Sequence, residues 1–256
     1  MKRAWRYVPP NLVTASSLVI ATVATQQAMA GRPIAAAWLA LICVITDKLD
    51  GLLAAALRAS SEFGVQLDSL GDLAAFGVAP ATIYYAYFHA RPELGWSGAG
   101  LAAPCALHVT AVAVRLARFN VQAPGAKRER HYFGIPSTMT AGTLLALLLF
   151  AIKYGTREAV DPWPILPIST GALLRVTPFA FVLGAIGMLS PLRVPKVGRT
   201  KSRLLDVLEL AGIALGVAAI VLRRLPEYLV ATTIVYLVVC AIYHLRTEPP
   251  RAEAVG

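Results

Sequence analysis

Residues 45–73 read ITDKLDGLLAAALRASSEFGVQLDSLGDL, and this stretch places four aspartates inside a long apolar region. The aspartates are Asp47, Asp50, Asp68 and Asp72. A charged side chain at the centre of a bilayer costs about 2.5 kcal/mol or more even on the scales that penalise it least. If this region lies in a membrane, four carboxylates are difficult to explain as passive structure.

The composition is typical of a helical membrane protein. Of the 256 residues, 57% are hydrophobic and 15% are charged, and the mean hydropathy is +0.63. A helix needs about 20 predominantly apolar residues to cross a bilayer. We therefore predict an all-α fold, a polytopic transmembrane helical bundle of about eight spans. The predicted spans lie near 11–30, 34–57, 65–88, 98–119, 137–154, 172–190, 204–222 and 226–245.

The basic residues predict the orientation of this bundle. The formal net charge is +10. When the N-terminus is placed in the cytoplasm, the inside segments hold clearly more arginine and lysine than the outside segments. Basic residues favour the cytoplasmic side, so both termini are predicted to be cytoplasmic. The charge is spread over short loops and not gathered on one face, which argues against nucleic acid as a partner.

The two aspartate pairs are predicted to meet across a helical hairpin. Spans two and three join through the polar turn at residues 60–62, and each pair lies about ten residues from it, or about 15 Å along a helix. Spacings of three and four residues place both members of a pair on one helix face. Lys48 is predicted to point away from Asp47. Four carboxylates can therefore share one small volume.

Carboxylates packed this closely repel one another unless cations neutralise them. Hard divalent cations prefer oxygen ligands, so the sequence predicts Mg²⁺ or Mn²⁺. Two ions are expected because two-metal sites are common in phosphoryl chemistry. Gly51 and Gly64 lie on the turn side of the aspartates. They either allow close helix packing or leave room for a ligand beside the metals.

At these residues the chain resembles the CDP-alcohol phosphotransferase family. The family signature is Asp-x2-Asp-Gly-x2-Ala-Arg-x8-Gly-x3-Asp-x3-Asp. The positions that match it in register are Asp47, Asp50, Gly51, Ala54, Gly64, Asp68 and Asp72. One position departs, since Ala55 stands where the family has arginine, and the nearest basic residue is Arg58.

Within the family the chain resembles the bacterial membrane-embedded phosphatidylserine synthases. The similar stretches are residues 10–14, 67–80, 115–120 and 133–136. The resemblance implies a single integral membrane domain over residues 1–256, with a catalytic core at 8–140 and further transmembrane helices at 141–256. It implies an enzyme of phospholipid biosynthesis in the cytoplasmic (inner) membrane, with its active site facing the cytoplasm and surrounded by membrane lipids. A homodimer is also implied.

The implied reaction transfers a phosphatidyl group from CDP-diacylglycerol to the hydroxyl of L-serine and releases CMP. The resemblance assigns the metal ions to Asp47, Asp50, Asp68 and Asp72, and the role of catalytic base to Asp72. It assigns CDP binding to Asn11, Thr14, Asp47, Gly51, Ala54 and Gly64, with Arg58 as a possible replacement for the missing arginine.

Two further groups of residues have a purely structural explanation as well as a functional one. Asn11 and Thr14 are either phosphate ligands or a helix N-cap. Arg115, Arg118 and Asn120 either bind the alcohol substrate through an anionic group, for which arginine is well suited, or anchor the helix end at the interface.

Other residue types receive only structural predictions. The cysteines are predicted to be buried small residues; they are Cys43, Cys105 and Cys240. An interfacial aromatic belt is predicted for Tyr84, Tyr85 and Tyr87. No role and no partner is predicted for His89, His108 and His244.

Three alternative functions remain open at this point. Another member of the family would use glycerol 3-phosphate, inositol phosphate or choline as the acceptor. A cation transporter would spread acidic residues over several spans, whereas here they concentrate in one hairpin. A catalytically silent protein is compatible with Ala55.

Overall fold

The computed structural model describes residues 7–57, 61–122, 131–156, 160–161, 171–195 and 203–246. The helical class predicted from the sequence is confirmed. The long helices are α1 (Val8–Met29), α2 (Pro33–Leu57), α5 (Gly98–Gln122), α6 (Ser137–Gly155), α9 (Arg203–Val221) and α10 (Pro226–Arg246). The shorter ones are α3 (Glu62–Asp72), α4 (Ala79–His89), α7 (Gly171–Val176) and α8 (Phe179–Leu189). A 3₁₀ turn lies at Pro92–Leu94, and the short strands are β1 (His131–Phe133) and β2 (Arg193–Pro195).

Every predicted span corresponds to a helix or to two successive helices. Among the described residues, four helices are long and apolar enough to cross a membrane, namely α1, α5, α6 and α10. Two shorter apolar helical stretches lie at Phe179–Leu189 and Val207–Val221. The protein is therefore an integral membrane protein, and the total of eight spans and the side of the termini stay predictions.

Helices α1 and α2 pack closely through small residues. Ala24 and Ala28 of α1 are buried in the same core cluster as Ala36, Ala37 and Ala40 of α2. Membrane helices approach each other best where their side chains are small, because lipid offers no hydrophobic driving force for association. This close packing brings the N-terminal half of α1 beside the aspartates of α2.

Residues 62–89 form a continuous helix with a π-helical segment, Leu73–Val78, between α3 and α4. Pro80 explains the wider winding. Proline has no N–H to donate to the carbonyl four residues earlier, and its ring collides with that carbonyl in an α-helix. In the π segment the N–H of Ala79 instead reaches the carbonyl of Ala74, five residues back.

Helix α4 lies deep in the bundle, so the predicted aromatic belt is wrong for two of its tyrosines. Tyr84 and Tyr87 are both 0% exposed. Tyr84 donates a hydrogen bond of 2.7 Å to the carbonyl of Leu144 on α6, which satisfies a hydroxyl that burial would otherwise penalise. The three cysteines are free and buried, as predicted.

A two-stranded antiparallel pair, which the sequence did not predict, joins the connection before α6 to the one before α9. Tyr132 of β1 pairs with Val194 of β2. Gly134 follows β1 with a φ of +72°, and a Cβ there would lie 2.2 Å from the carbonyl oxygen of Met188. Only glycine fits both this backbone conformation and this close approach.

A buried charged cluster joins α6, residue 161 and α10. Lys153 is 2% exposed, and its Nζ lies 2.8 Å from Asp161 and 2.7 Å from Glu227. Tyr154 also donates a short hydrogen bond to Glu227. Asp161 lies between α6 and α7, and Glu227 lies in the first turn of α10. A lysine neutralises both of these carboxylates, whereas the hairpin aspartates face one another, and the concentration of intramembrane acids in the hairpin stays a prediction.

Candidate functional site

The structure brings the four hairpin aspartates together. Ligand oxygens of Asp47, Asp50 and Asp68 all lie within 4.8 Å of one another. The Asp72 carboxyl group lies next to that of Asp47. Asp68 and Asp50 are also near neighbours of Asp72. The site is thus a concentrated acidic cluster between α2 and α3.

Lys48 lies at the edge of this cluster, whereas the sequence analysis predicted that its side chain points away from Asp47. Lys48 Nζ is 3.6 Å from Asp47 Oδ2. The lysine side chain is 72% exposed, so solvent weakens the pairing. Among the described residues, this one exposed ammonium group cannot offset four carboxylates.

Helix α1 supplies a hydroxyl to the cluster. Thr14 is buried, and its Oγ1 donates a hydrogen bond of 2.9 Å to Asp50 Oδ2. The alternative reading of Asn11 and Thr14 as an N-cap is wrong, because α1 begins at Val8 and the capping position, Tyr7, makes no side-chain cap. Both residues lie within the first turns of the helix, on the side that faces α2 and α3.

An open cleft of about 120 Å³ lies directly beside the aspartates. Most of the residues that the sequence analysis assigns to the nucleotide contribute to its wall, namely Asn11, Thr14, Gly51, Ala54 and Gly64. Asp50 and Asp68 form the side of the cleft that faces the acidic cluster. A ligand in the cleft would therefore contact both polar groups of α1 and the carboxylates.

Two glycines shape this cleft in different ways. A Cβ on Gly64 would lie 3.0 Å from Asn11 Oδ1 and 3.1 Å from Ser61 Oγ, whereas one on Gly51 would meet no atom within 4 Å. Ser61 is the N-cap of α3, and its hydroxyl accepts a hydrogen bond from the N–H of Gly64. Gly64 thus permits close packing, and Gly51 leaves open space.

The departure from the family signature lies at the margin of the cleft. Ala54 is part of the wall, while Ala55 is exposed. Arg58, the predicted replacement for the missing arginine, lies outside the described residues.

The three predicted acceptor-binding residues occupy different environments at the end of α5. Asn120 Nδ2 donates a hydrogen bond of 2.9 Å to Ser69 Oγ, next to Asp68. Arg115 is half-buried and donates to the carbonyl of Phe133 over 2.9 Å. Arg118 is exposed. The structure therefore brings Asn120 to the edge of the acidic helix α3 and ties Arg115 to the end of β1.

Two histidines have partners that the sequence analysis missed. His108 Nε2 lies 2.8 Å from the carbonyl oxygen of Phe76. His244 Nδ1 accepts a hydrogen bond from the N–H of Arg193 over 3.3 Å. Their partners are backbone groups distant in sequence, and no spacing rule connects such pairs.

The acidic cluster fits a divalent cation. Oxygens bound to one Mg²⁺ or Ca²⁺ lie about 2.0–2.6 Å from the ion and hence within about 4–5 Å of one another. The oxygens of Asp47, Asp50 and Asp68 meet this condition. Thr14 donates a hydrogen bond to Asp50, and hydrogen bonds of this kind orient metal-binding carboxylates.

Comparison with known proteins agrees with this geometry. The family model of CDP-alcohol phosphatidyltransferases matches residues 7–186. The chain belongs to this family. The matched region contains the whole hairpin, the cleft and helix α5.

Named relatives share part of this region. A protein of Helicobacter pylori is 36% identical over 148 residues, which cover 58% of this chain and 60% of the relative. A Mycobacterium leprae protein is 32% identical over 159 residues, covering 60% and 51%, and one of Saccharomyces cerevisiae is 32% identical over 167 residues, covering 61% and 56%. Each is named CDP-diacylglycerol–serine O-phosphatidyltransferase. The aligned part is less than two thirds of each relative's length.

Proposed function

We propose that the protein is a CDP-diacylglycerol–serine O-phosphatidyltransferase that depends on Mg²⁺ or Mn²⁺. The observation that carries this proposal is the convergence of Asp47, Asp50 and Asp68 within 4.8 Å beside an open cleft. The names of the relatives support serine as the acceptor.

The proposed reaction breaks a phosphoanhydride bond and forms a phosphoester bond. The hydroxyl oxygen of serine attacks the lipid-side phosphorus of CDP-diacylglycerol, and the bond from that phosphorus to the bridging oxygen of CMP breaks. CMP leaves with the bridging oxygen, and the hydroxyl proton passes to a base. Two bound divalent cations would supply charge neutralisation for the pyrophosphate oxygens and for the leaving phosphate.

The proposal assigns different roles to the four aspartates. Asp47, Asp50 and Asp68 hold the cations, and Asp72 also faces them and takes the serine proton. Asp72 suits this role because it lies against Asp47 at the margin of the converging trio. Most of the rate gain is expected from positioning and from the charge of the metals, as in other phosphoryl transfers.

The nucleotide is assigned to the cleft. Asn11 and Thr14 present polar groups from α1, and Gly51, Ala54 and Gly64 leave space where larger side chains would block the cleft. We also assign Asp47 and Arg58 to nucleotide binding.

The serine carboxylate is assigned to the end of α5. A guanidinium group carries five N–H donors in a fork that matches a carboxylate. We assign the carboxylate to Arg115 and Arg118. Asn120, which is bonded to Ser69 on the acidic helix, would place the acceptor beside Asp68 and Asp72.

The cellular setting completes the proposal. The bias of basic residues supports an active site that faces the cytoplasm from the inner membrane. Water-soluble serine would then enter from the cytoplasm and the lipid substrate from the leaflet. A homodimer is part of the same expectation.

A panel of acceptors tests the proposed substrate. Purified protein with CDP-diacylglycerol and Mn²⁺ is given serine, glycerol 3-phosphate, inositol phosphate or choline, and CMP release is measured. Serine is expected to release CMP at a rate well above all others. Faster release with another acceptor would retain the family chemistry and refute serine as the substrate.

A further inference from the structure

The helix that carries Asp68 and Asp72 contains a backbone irregularity directly beyond them. The π segment begins at Leu73 and ends at Val78. Each residue of an α-helix turns the chain by about 100°, so winding that accommodates one extra residue rotates the two flanking parts by about that angle. The π segment therefore sets the direction of the two aspartates relative to α4.

The helical parts on both sides of the π segment must present particular side chains to the rest of the bundle. On one side Asp72 faces Asp47. On the other side α4 buries Tyr84, Tyr87 and Phe88, each 0% exposed. If the segment were a regular α-helix, either the aspartates would turn away from Asp47 or the aromatic side chains of α4 would turn out of the core.

The π segment exposes one carbonyl that needs a partner. The α-helical donor for the Phe76 carbonyl would be residue 80, which is proline and has no N–H. His108 of α5 meets this carbonyl, with Nε2 2.8 Å from the oxygen. Because a carbonyl only accepts, Nε2 carries the hydrogen.

The histidine is held in place for this contact. It is 0% exposed, and its ring packs edge-on against Phe181 at 4.9 Å between centroids. Its other nitrogen, Nδ1, is buried and has no hydrogen-bond partner among the described residues. The Phe76 carbonyl is therefore the one polar contact that the described structure gives this ring.

We infer that His108 is a positioning residue for the metal-binding aspartates: its hydrogen bond to Phe76 stabilises the π segment that turns Asp68 and Asp72 towards Asp47. The inference deepens the proposed function, because it rests on the metal site of that function. It extends the site to a residue on α5 that lies outside the metal-binding hairpin. Groups that hydrogen-bond directly to metal ligands change metal affinity by about 10–100-fold when they are removed, and His108 acts more indirectly, through the backbone of Phe76.

The test measures Mn²⁺ binding directly, by the electron paramagnetic resonance signal of free Mn²⁺ above metal-stripped protein, without substrates. H108F keeps a ring of similar shape but removes the donor, and H108Q restores an N–H donor. We expect H108F to weaken Mn²⁺ binding by up to about tenfold and H108Q to bind nearly as the wild type does. Turnover should fall in H108F through kcat, with the KM for CDP-diacylglycerol little changed.

Tyr84→Phe is the matched control. It removes another buried donor to a backbone carbonyl, on the same continuous helix but beyond the π segment. Mn²⁺ affinity should be unchanged in Y84F even if its thermal stability falls. If H108F does not yield folded protein, H108M removes the donor with a flexible side chain and takes its place.

Three results would overturn the inference. They are a folded H108F with wild-type Mn²⁺ affinity, an equal loss of affinity in Y84F, and a folded H108Q as impaired as H108F. Failure of serine transfer by the wild type would contradict the proposed substrate and leave the Mn²⁺ result to decide the role of His108.

Discussion

Thr14 on α1 donates a hydrogen bond of 2.9 Å to Asp50 on α2, and this contact ties the first helix to the acidic cluster. The same hydroxyl oxygen lies 3.1 Å from the carbonyl of Pro10. A hydroxyl has one hydrogen to donate, and an ionised acceptor forms the stronger bond. Asp50 therefore receives the hydrogen, and one of its oxygens is held while the other remains available to a cation.

Replacing Thr14 should weaken the metal site. Thr14→Val keeps the shape of the side chain and removes the donor, so Mn²⁺ affinity is expected to fall about tenfold. Thr14→Ser should retain most of the affinity. Thr22→Val is the control, because Thr22 is exposed on the same helix and its hydroxyl donates to the carbonyl of Leu18 within its own helix. An unchanged Mn²⁺ titration in T14V would contradict the assigned role.

A methyl group at Gly51 should separate substrate binding from folding. The new Cβ meets no protein atom within 4 Å, and alanine favours a helix over glycine by about 1 kcal/mol. Gly51→Ala should therefore be at least as stable as the wild type and should have a raised KM for CDP-diacylglycerol, because Gly51 lines the cleft.

The comparison variants for Gly51 are two other glycines. Gly64→Ala should raise the KM and also lower the melting temperature, since its Cβ would lie 3.0 Å from Asn11. Gly171→Ala, where a Cβ also meets nothing, should change neither. A wild-type KM in G51A would show that the nucleotide does not occupy this part of the cleft.

The buried cluster around Lys153 should contribute stability without affecting the metal site. Lys153→Met leaves Asp161 and Glu227 without their cation, and breaking a buried ion pair costs about 3–5 kcal/mol. The melting temperature in detergent should fall markedly, with Mn²⁺ affinity retained in the folded fraction. Lys48→Met provides the contrast, because that pair is exposed and should be worth about 1 kcal/mol or less. Equal melting temperatures for K153M and the wild type would contradict this prediction.

Ala55 offers a gain-of-function test. Ala55→Arg restores the signature arginine at an exposed position beside the cleft. We expect a lower KM for CDP-diacylglycerol, because a guanidinium group attracts phosphate oxygens. Arginine at the exposed neighbouring position, Ala56→Arg, controls for added charge. A rise from negligible to substantial turnover in A55R alone would favour the catalytically silent alternative for the natural chain.

Local spacing made the centre of the site predictable. Helical periodicity and the short turn bring the pairs Asp47–Asp50 and Asp68–Asp72 to one level, and both features are present in a single stretch of 26 residues. The helical class followed from hydropathy in the same way. The signature then connected this stretch with a family.

Contacts between distant parts of the chain were not predictable. Lys153 and Glu227 are 74 positions apart, and no periodicity relates them. The buried positions of Tyr84 and Tyr87 depend on the packing of α4 among other helices, which overrides their usual preference for a membrane interface. A signal for the π segment was nevertheless present, since Pro80 lies inside predicted span three.

The most direct test of the central claim is the transfer of labelled L-serine to CDP-diacylglycerol by the purified protein, with and without Mn²⁺ or Mg²⁺. Asp72→Asn is assayed alongside, with Glu62→Gln as a control for an exposed acid on the same helix. We predict labelled phosphatidylserine and an equal amount of CMP, both abolished by a chelator. Turnover should be lowered about 100-fold or more in D72N and unchanged in E62Q. Serine transfer that persists without divalent metal, or at wild-type rate in D72N, would contradict the account.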